Sequence, residues 1–319
     1  MLELDKISKV YKTGTFGGKK LLAVNKVSFE VKDGEVISLI GESGSGKSTI
    51  GKMILGLISI TSGTIRLNGV DIATLKGGAL KNYYRNVQGV FQDPFSSYNP
   101  VFKADRIFRI IREEFFPEIK IDEWNKKIDS SLRAVGLNPN EVLNKFPHQL
   151  SGGQLQRFLI ARALLLDVQF LVADEIISML DASTRIDVLN LLAELKSRGL
   201  SILFITHDLS LGYYISERAM ILYRGGVVEM GSTEQVYYHP LHPYTKMLIA
   251  SVPRLDKKWE EVEGKLKAKH SELSTGCVYY ERCLFADKDK DCAKRPPLIE
   301  AESGHFVACS HYMEVNKGV

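Results

Sequence analysis

The sequence predicts an α/β fold around a mainly parallel sheet, followed by a small cysteine-containing C-terminal tail. Three observations lead there. Short apolar runs bounded by polar residues or glycine, Glu35–Ile40, Phe170–Ala173 and Ile202–Thr206, read as buried strands; the first and third are rich in Ile, Val, Leu and Phe. Helical patterns lie between them: Asp187–Arg198 places Val188, Leu191, Leu192 and Leu195 on one face, with Gly199 as the stop. The alternation fades after about Val236, and all four cysteines follow residue 276.

Length and composition bound the rest. A chain of 319 residues suggests roughly two domains. Hydrophobic residues at 45% and charged ones at 25% are the usage of a globular chain, not a disordered one. A net charge of +4 is too mild to point to nucleic acid. Apolar runs such as Ile54–Ile60 and Phe158–Leu166 fall short of the ~20 residues a membrane span needs. Met1-Leu2-Glu3-Leu4-Asp5-Lys6 lacks the basic-then-apolar layout of a signal peptide, so a soluble, cytosolic chain is expected. Asp256–Lys269 is charged with few apolar anchors and reads as a linker or exposed helix.

The first motif is Gly41-Glu42-Ser43-Gly44-Ser45-Gly46-Lys47-Ser48, which fits G-x-x-x-x-G-K-[ST]. It follows one predicted strand and precedes the helical pattern Thr49–Leu57. Glycines let backbone N–H groups turn inward around phosphate oxygens, and the helix N-terminus adds its dipole. Lys47 is expected to reach the outer phosphates and Ser48 to offer a hydroxyl to Mg²⁺. A plain Gly/Ser turn would not need strand, lysine and helix all in place. This is a nucleotide site.

Asp174-Glu175 closes the strand Phe170–Ala173. Ligands sit at the carboxyl ends of strands in open α/β sheets. Asp174 is then expected to hold Mg²⁺ through a water, and Glu175 to orient and polarise an attacking water. His207 closes the strand Ile202–Thr206 and is a candidate partner of the γ-phosphate; a lone strand-end histidine is otherwise structural.

Leu150-Ser151-Gly152-Gly153-Gln154 joins these pieces into a recognisable order: phosphate loop, Gln92, this run, Asp174-Glu175, then His207. The set resembles the signature of the ATP-binding cassette (ABC) ATPases over about residues 1–250. Ser151 and Gly152-Gly153 precede the helical run Leu155–Leu166, a second helix N-terminus able to bind phosphate. The resemblance implies that two cassettes pair head to tail, each signature completing the other's ATP site. It also implies nucleotide contacts from Ser43, Gly44, Ser45, Gly46, Lys47, Ser48 and Thr49, from Ser151, Gly152, Gly153 and Gln154 in trans, and from Asp181 in the cross-dimer loop. Tyr11 would stack on adenine; Gln92 would sense Mg²⁺ and the attacking water, acting with Glu175 and His207. One departure stands out. The family continues Pro-Thr-Ser-Ala-Leu-Asp after its acidic pair, whereas this chain reads Ile176-Ile177-Ser178-Met179-Leu180-Asp181. Losing proline frees φ and restores an N–H, which could loosen the presentation of Glu175 and slow this site relative to its pair.

His239-Pro240-Leu241-His242-Pro243-Tyr244-Thr245 resembles the segment that follows the cassette in oligopeptide and dipeptide importer ATPases. The loop continuing Thr49-Ile50-Gly51 and the stretch Gln92-Asp93-Pro94-Phe95-Ser96-Ser97-Tyr98-Asn99-Pro100 resemble the F-type subunit of that system. That resemblance divides the chain into a nucleotide-binding domain, 1–235, with a helical subdomain over about 92–165, and an importer-type extension, 236–319. It implies a paralogous D-type ATPase partner, two membrane permeases, an external binding protein, and a place at the cytoplasmic face of the membrane. Related importers carry nickel or oligosaccharides. A soluble ABC ATPase outside transport and a regulatory subunit with weak hydrolysis are the other readings; one cassette and a mild charge argue against the former, and Ile176-Ile177 alone supports the latter.

The cysteines are spaced Cys277-x₅-Cys283-x₈-Cys292-x₁₆-Cys309. Four thiolates can ligate zinc or an iron–sulfur cluster; the paired C-x₂-C knuckles of zinc ribbons are absent, and disulfides are disfavoured in a reducing cytosol. The surrounding residues resemble the importer tail that binds a [4Fe–4S] cluster in some members, with Leu284 where proline is usual. A structural rather than redox role is expected, since so small a tail with few apolar residues needs a staple.

Overall fold

The three apolar runs form strands buried along their whole length: Val36–Ile40, Phe170–Asp174 and Ser201–Thr206. The computed structural model describes residues 1–12, 18, 20–252, 276–286, 292 and 294–312. The charged stretch 256–269 lies outside the described residues. The chain divides into two units, one of Met1, Val31–Glu35 and Leu67–Phe204, the other of Leu2–Glu30, Val36–Arg66 and Ile205–Val319.

In the first unit, Val87–Val90 pairs in parallel with Phe170–Asp174, Val87 opposite Phe170 and Val90 opposite Ala173. The helices Arg106–Phe115, Ile121–Ala134 and Gly152–Leu164 belong to the same unit. Phe108 stacks on Phe158 with ring centroids 4.7 Å apart, and Trp124 and Leu132 are buried with them. Burial of these aromatic side chains contributes to the packing of the unit. The helix expected at Asp187–Arg198 begins earlier, at Ala182, and ends at Ser197, with Gly199 in the left-handed region at φ 96° as its stop.

In the second unit, Val36–Ile40 runs parallel to Arg218–Tyr223, pairing Ile37 with Arg218 and Ile40 with Ile221. Beyond that pair the sheet turns antiparallel. Arg218–Tyr223 forms a hairpin with Gly226–Ser232 across Arg224-Gly225, both at positive φ. His305–Val307 then pairs antiparallel with Gly226–Ser232, and Ile299–Glu302 pairs antiparallel with His305–Val307. Val36–Ile40 with Arg218–Tyr223 and Val87–Val90 with Phe170–Asp174 are thus parallel, as expected, and the strands from Gly226 onward add an antiparallel edge. The tail strands Ile299–Glu302 and His305–Val307 extend the sheet.

Glu229 explains how the extension docks. A bulge between Val227 and Glu229 breaks the hairpin register, and the Glu229 side chain is wholly buried. Its carboxylate accepts the backbone N–H groups of Leu241 and His242, each at 2.8 Å, and Oε1 lies 2.8 Å from Nε2 of buried His305. One carboxylate thus fastens both the His-Pro-Leu-His-Pro segment and a tail strand. Tyr223, Tyr244 and Tyr279 form a ring cluster beside it, with centroids 4.5 to 5.4 Å apart, into which Cys277 and Cys292 pack.

His242 caps the helix Pro243–Ala250, its Nδ1 accepting the N–H of Tyr244 at 3.0 Å. Burial pushes its imidazole down from 6.5 to about 4, because the charged form loses its hydration. A depressed pKa means the unfolded chain takes up a proton first as pH falls. The stabilisation is complete above pH 6.5 and is lost progressively toward pH 4. Thermal unfolding between pH 7 and pH 4 should show this loss, on the order of 3 kcal/mol at most. His242→Asn, which keeps an acceptor at the cap, should flatten that part of the profile.

Candidate nucleotide site

The loop Gly41–Ser48 joins the strand Val36–Ile40 to the helix Lys47–Ile54. The helix starts two residues before the expected Thr49 and stops at Ile54, where Gly56 turns the chain at φ 67°. Two glycines are compulsory. A Cβ on Gly41 would sit 2.1 Å from the Leu222 carbonyl oxygen, and one on Gly46, at φ 107°, 2.4 Å from that of Ala23. At Gly44, with φ 79°, a Cβ would meet no atom within 4 Å. Ser45 Oγ is buried without a hydrogen-bond partner. Lys47 is nearly buried, and its ammonium donates to the Gly41 and Glu42 carbonyls at 2.7 and 3.1 Å. A glycine-rich turn leading into a helix N-terminus, an orphaned hydroxyl and a lysine folded back on the loop fit a bound polyphosphate. Ser48 lies in the first turn of the helix, followed by Thr49.

Two residues that the sequence reading missed reach this loop. The Glu42 N–H donates to the Tyr244 hydroxyl at 3.0 Å, and Arg282 Nη1 donates to both Glu42 carboxylate oxygens at 3.0 Å. No local pattern marks these partners, which lie 202 and 240 positions away in sequence.

Gln92, the signature run, Asp174, Glu175 and Asp181 belong to the other unit. Glu175 follows the strand with a left-handed backbone, φ 51°, a conformation that strains a side-chain-bearing residue by about 1–3 kcal/mol. The turn after it is closed by Ser178, whose N–H and hydroxyl both donate to the Glu175 carbonyl, at 3.1 and 2.9 Å. Arg185 braces the turn through the Ser178 and Leu180 carbonyls, and Ile176 and Ile177 are buried. The residues replacing Pro-Thr thus anchor the turn in the core. Asp181 caps the next helix. Its carboxylate accepts from Ser183, from the Thr184 N–H and from the Thr184 hydroxyl, bonds that hold it below the usual carboxylate range.

Ser151 caps the helix Gly152–Leu164 in a reciprocal box: its hydroxyl accepts the Gln154 N–H at 3.2 Å, and Gln154 Oε1 accepts the Ser151 N–H at 2.9 Å. A pocket of about 180 Å³ opens here, with Ser151, Gly153, Gln154 and Arg157 in its wall. Gly153 is needed because a Cβ would meet Thr184 Cγ2 at 2.9 Å. The same helix is tied to the strand that leads to Gln92. Arg162 Nη2 donates to the Gly89 carbonyl at 2.9 Å and Gln156 Nε2 to that of Phe91 at 3.4 Å. Gln92 itself is exposed.

His207 is exposed at the end of Ser201–Thr206. Tyr11 ends the strand Leu2–Lys12, half-buried, with the Lys9 ammonium 5.3 Å from its ring centroid. The four cysteines are free thiols, three buried and Cys283 half-buried. Burial raises the Cys277 and Cys283 thiols and pushes Cys309 up to about 11, the neighbouring thiols adding repulsion. The Cys277 N–H donates to the Cys292 carbonyl at 3.0 Å. Among the described residues, no three His, Cys, Asp or Glu side chains are gathered as a metal-holding group. The donor chemistry suits a soft metal centre, but the thiols are not drawn into ligand geometry.

Among the described residues no helix is long and apolar enough to cross a membrane. The family described as ABC transporter matches residues 24–178, and the one described as oligopeptide/dipeptide transporter, C-terminal region, matches residues 228–292. The oligopeptide transport ATP-binding protein OppF of Salmonella typhimurium is 38% identical over 91% of this chain and 88% of its own length. A putative peptide import ATP-binding protein of Brucella ovis is 38% identical over 97% of both chains. A solved ATP-binding cassette, dimeric in a post-hydrolysis state with ADP and Pi, superimposes with a TM-score of 0.66 at 29% identity, covering 73% of this chain and 99% of that one.

Ser151→Ala should remove the cap and lower stability by about 1 kcal/mol, read by thermal unfolding. Ser151→Asn, another capping residue, should restore most of it.

Proposed function

This chain belongs to the ATP-binding proteins of ABC transporters, in the oligopeptide/dipeptide branch, and we propose that it is the ATP-hydrolysing subunit that powers import of oligopeptides or dipeptides. The observation that carries this reading is the phosphate loop, a glycine-rich turn at a helix N-terminus onto which Lys47 folds back, in a chain that runs on into the importer-type extension. The division into a nucleotide-binding domain, 1–235, and an extension, 236–319, belongs to the same reading.

ATP binding draws Lys47 and the loop amides onto its phosphates, and Tyr11 stacks on adenine. By the family resemblance Ser48, Gln92 and Asp174 would be the residues to hold Mg²⁺, and the ion would supply neutralisation of phosphate charge. Glu175 accepts a proton from the attacking water, helped by Gln92 and His207. The Ser151–Gln154 helix end serves the ATP site of a D-type partner subunit, with Asp181 shaping the loop between the two. Pairing driven by ATP and relaxed by hydrolysis is a population shift set by contacts that exist only with the triphosphate. The bonds from Arg162 and Gln156 to the backbone before Gln92 give the signature helix a direct mechanical route toward that segment. Two membrane permeases and an external binding protein complete the assembly, with this chain at the cytoplasmic face of the membrane.

The extension carries a [4Fe–4S] cluster in this reading, held by Cys277, Cys283, Cys292 and Cys309. The support is four free thiols whose ionised forms repel one another, a repulsion that a cationic centre relieves. Its role is structural. Protein purified without oxygen should contain iron and acid-labile sulfide and absorb in the visible. A colourless, zinc-loaded product would reject the cluster.

Reconstituted with its partners in liposomes, the transporter should hydrolyse ATP faster when its binding protein is loaded with peptide. Stimulation by oligosaccharides alone would overturn the substrate class. Glu175→Gln should keep ATP binding and lose at least about a hundredfold in turnover at this site, measured with the partner's site silenced.

A further inference from the structure

Glu42 occupies one of the unspecified positions of the phosphate-loop motif, so phosphate chemistry does not call for a carboxylate there. An uncompensated carboxylate would in fact oppose an arriving triphosphate. Every polar handle of Glu42 is nonetheless engaged. Its carbonyl accepts the Ser45 N–H and the Lys47 ammonium, both at 3.1 Å. The other two handles are held by the C-terminal extension: the N–H by the Tyr244 hydroxyl, and the carboxylate by Arg282.

These two contacts are built rather than incidental. Tyr244 is fully buried in the aromatic cluster, and its helix is capped by His242 on the Glu229 anchor. The Arg282 guanidinium lies over the Tyr223 and Tyr279 rings, 6.0 and 5.8 Å from their centroids. The Arg282 side chain is only 18% exposed, so the pair is partly shielded from solvent. Arg282 ends the turn Tyr280–Arg282, which opens with the Tyr280 N–H on the Cys277 carbonyl and closes with the Cys283 N–H on the Tyr280 carbonyl. Glu281 in the same turn is ion-paired to Arg224 at 3.3 Å.

We propose that Arg282 and Tyr244 are positioning residues for ATP binding: together they hold Glu42 in place and neutralise it, so that the extension is a working part of the nucleotide site. The proposal rests on the ATP-binding role given above and deepens it. Tyr244 fixes the backbone at the entrance of the phosphate loop; Arg282 removes the charge that would repel the ligand. Neither residue touches the phosphates.

Titration calorimetry of MgATP into the full-length chain tests this. Arg282→Ala should weaken binding by about fivefold, the upper range for a partly exposed pair, with Arg282→Lys intermediate. Tyr244→Phe, which keeps the ring and drops only the acceptor, should also weaken binding. Glu42→Gln should bind at least as tightly as wild type, because repulsion goes and Arg282 stays. In that background Arg282→Ala should lose less than it does alone, a coupling that a loss of packing would not produce. Equal affinity of wild type, Arg282→Ala and Tyr244→Phe would overturn the clamp alone, as would an Arg282→Ala loss unchanged by Glu42→Gln. A wild-type chain that takes up no MgATP would overturn the ATP-binding role and the clamp with it.

Discussion

The Glu229 carboxylate, shut away from water, sets the terms for the extension. An ionised side chain in that position is tolerated only if donors replace its hydration. Two backbone N–H groups from the segment after residue 240 and the His305 ring do so. The requirement works in both directions: the carboxylate needs the extension, and the extension gains a fixed entry angle and a strand at the edge of the sheet. Once it is seated, Tyr244 and the turn bearing Arg282 have somewhere definite to be. The chain of dependence runs from one buried acid to the mouth of the phosphate loop.

Strain and satisfaction are distributed differently at Glu175 and Asp181. Glu175 sits in a left-handed backbone that its neighbours over-determine, with Ser178, Arg185 and two buried isoleucines holding the turn. Asp181, six residues on, is relaxed into a helix cap with three donors on its carboxylate. A residue held off its preferred conformation by packing is one whose side chain is aimed. A capping residue is one whose side chain already has its partners. The contrast is in keeping with the roles proposed for the two residues, Glu175 acting on a water and Asp181 shaping a loop.

Much of this was legible because it is local. The phosphate loop is a run of eight consecutive residues whose lysine folds back on carbonyls within the run, and the signature run announces its own cap in Ser151 and Gln154. Buried strands were legible as unbroken apolar runs. The extension was not. Ile299–Glu302 alternates apolar residues with glutamates over only four positions, and His305–Val307 is shorter still, so neither stands out from loop. Their pairing comes from a hairpin some 70 residues earlier, and the Arg282–Glu42 contact from still further away. Helix starts were misjudged for a related reason: Lys47, Gly152 and Ala182 begin helices through caps and glycine geometry before any apolar periodicity appears. The positive φ at Glu175 leaves no trace in composition at all.

The inward fold of Lys47 carries a last consequence. With its ammonium donating to the Gly41 and Glu42 carbonyls, the loop holds an internal competitor for its own ligand. Only a guest whose oxygens outbid two neutral carbonyls can recruit the lysine, and full anionic charge is what does so. An uncharged nucleoside offers the lysine no such oxygen. The loop is therefore a threshold that sorts its visitors by charge.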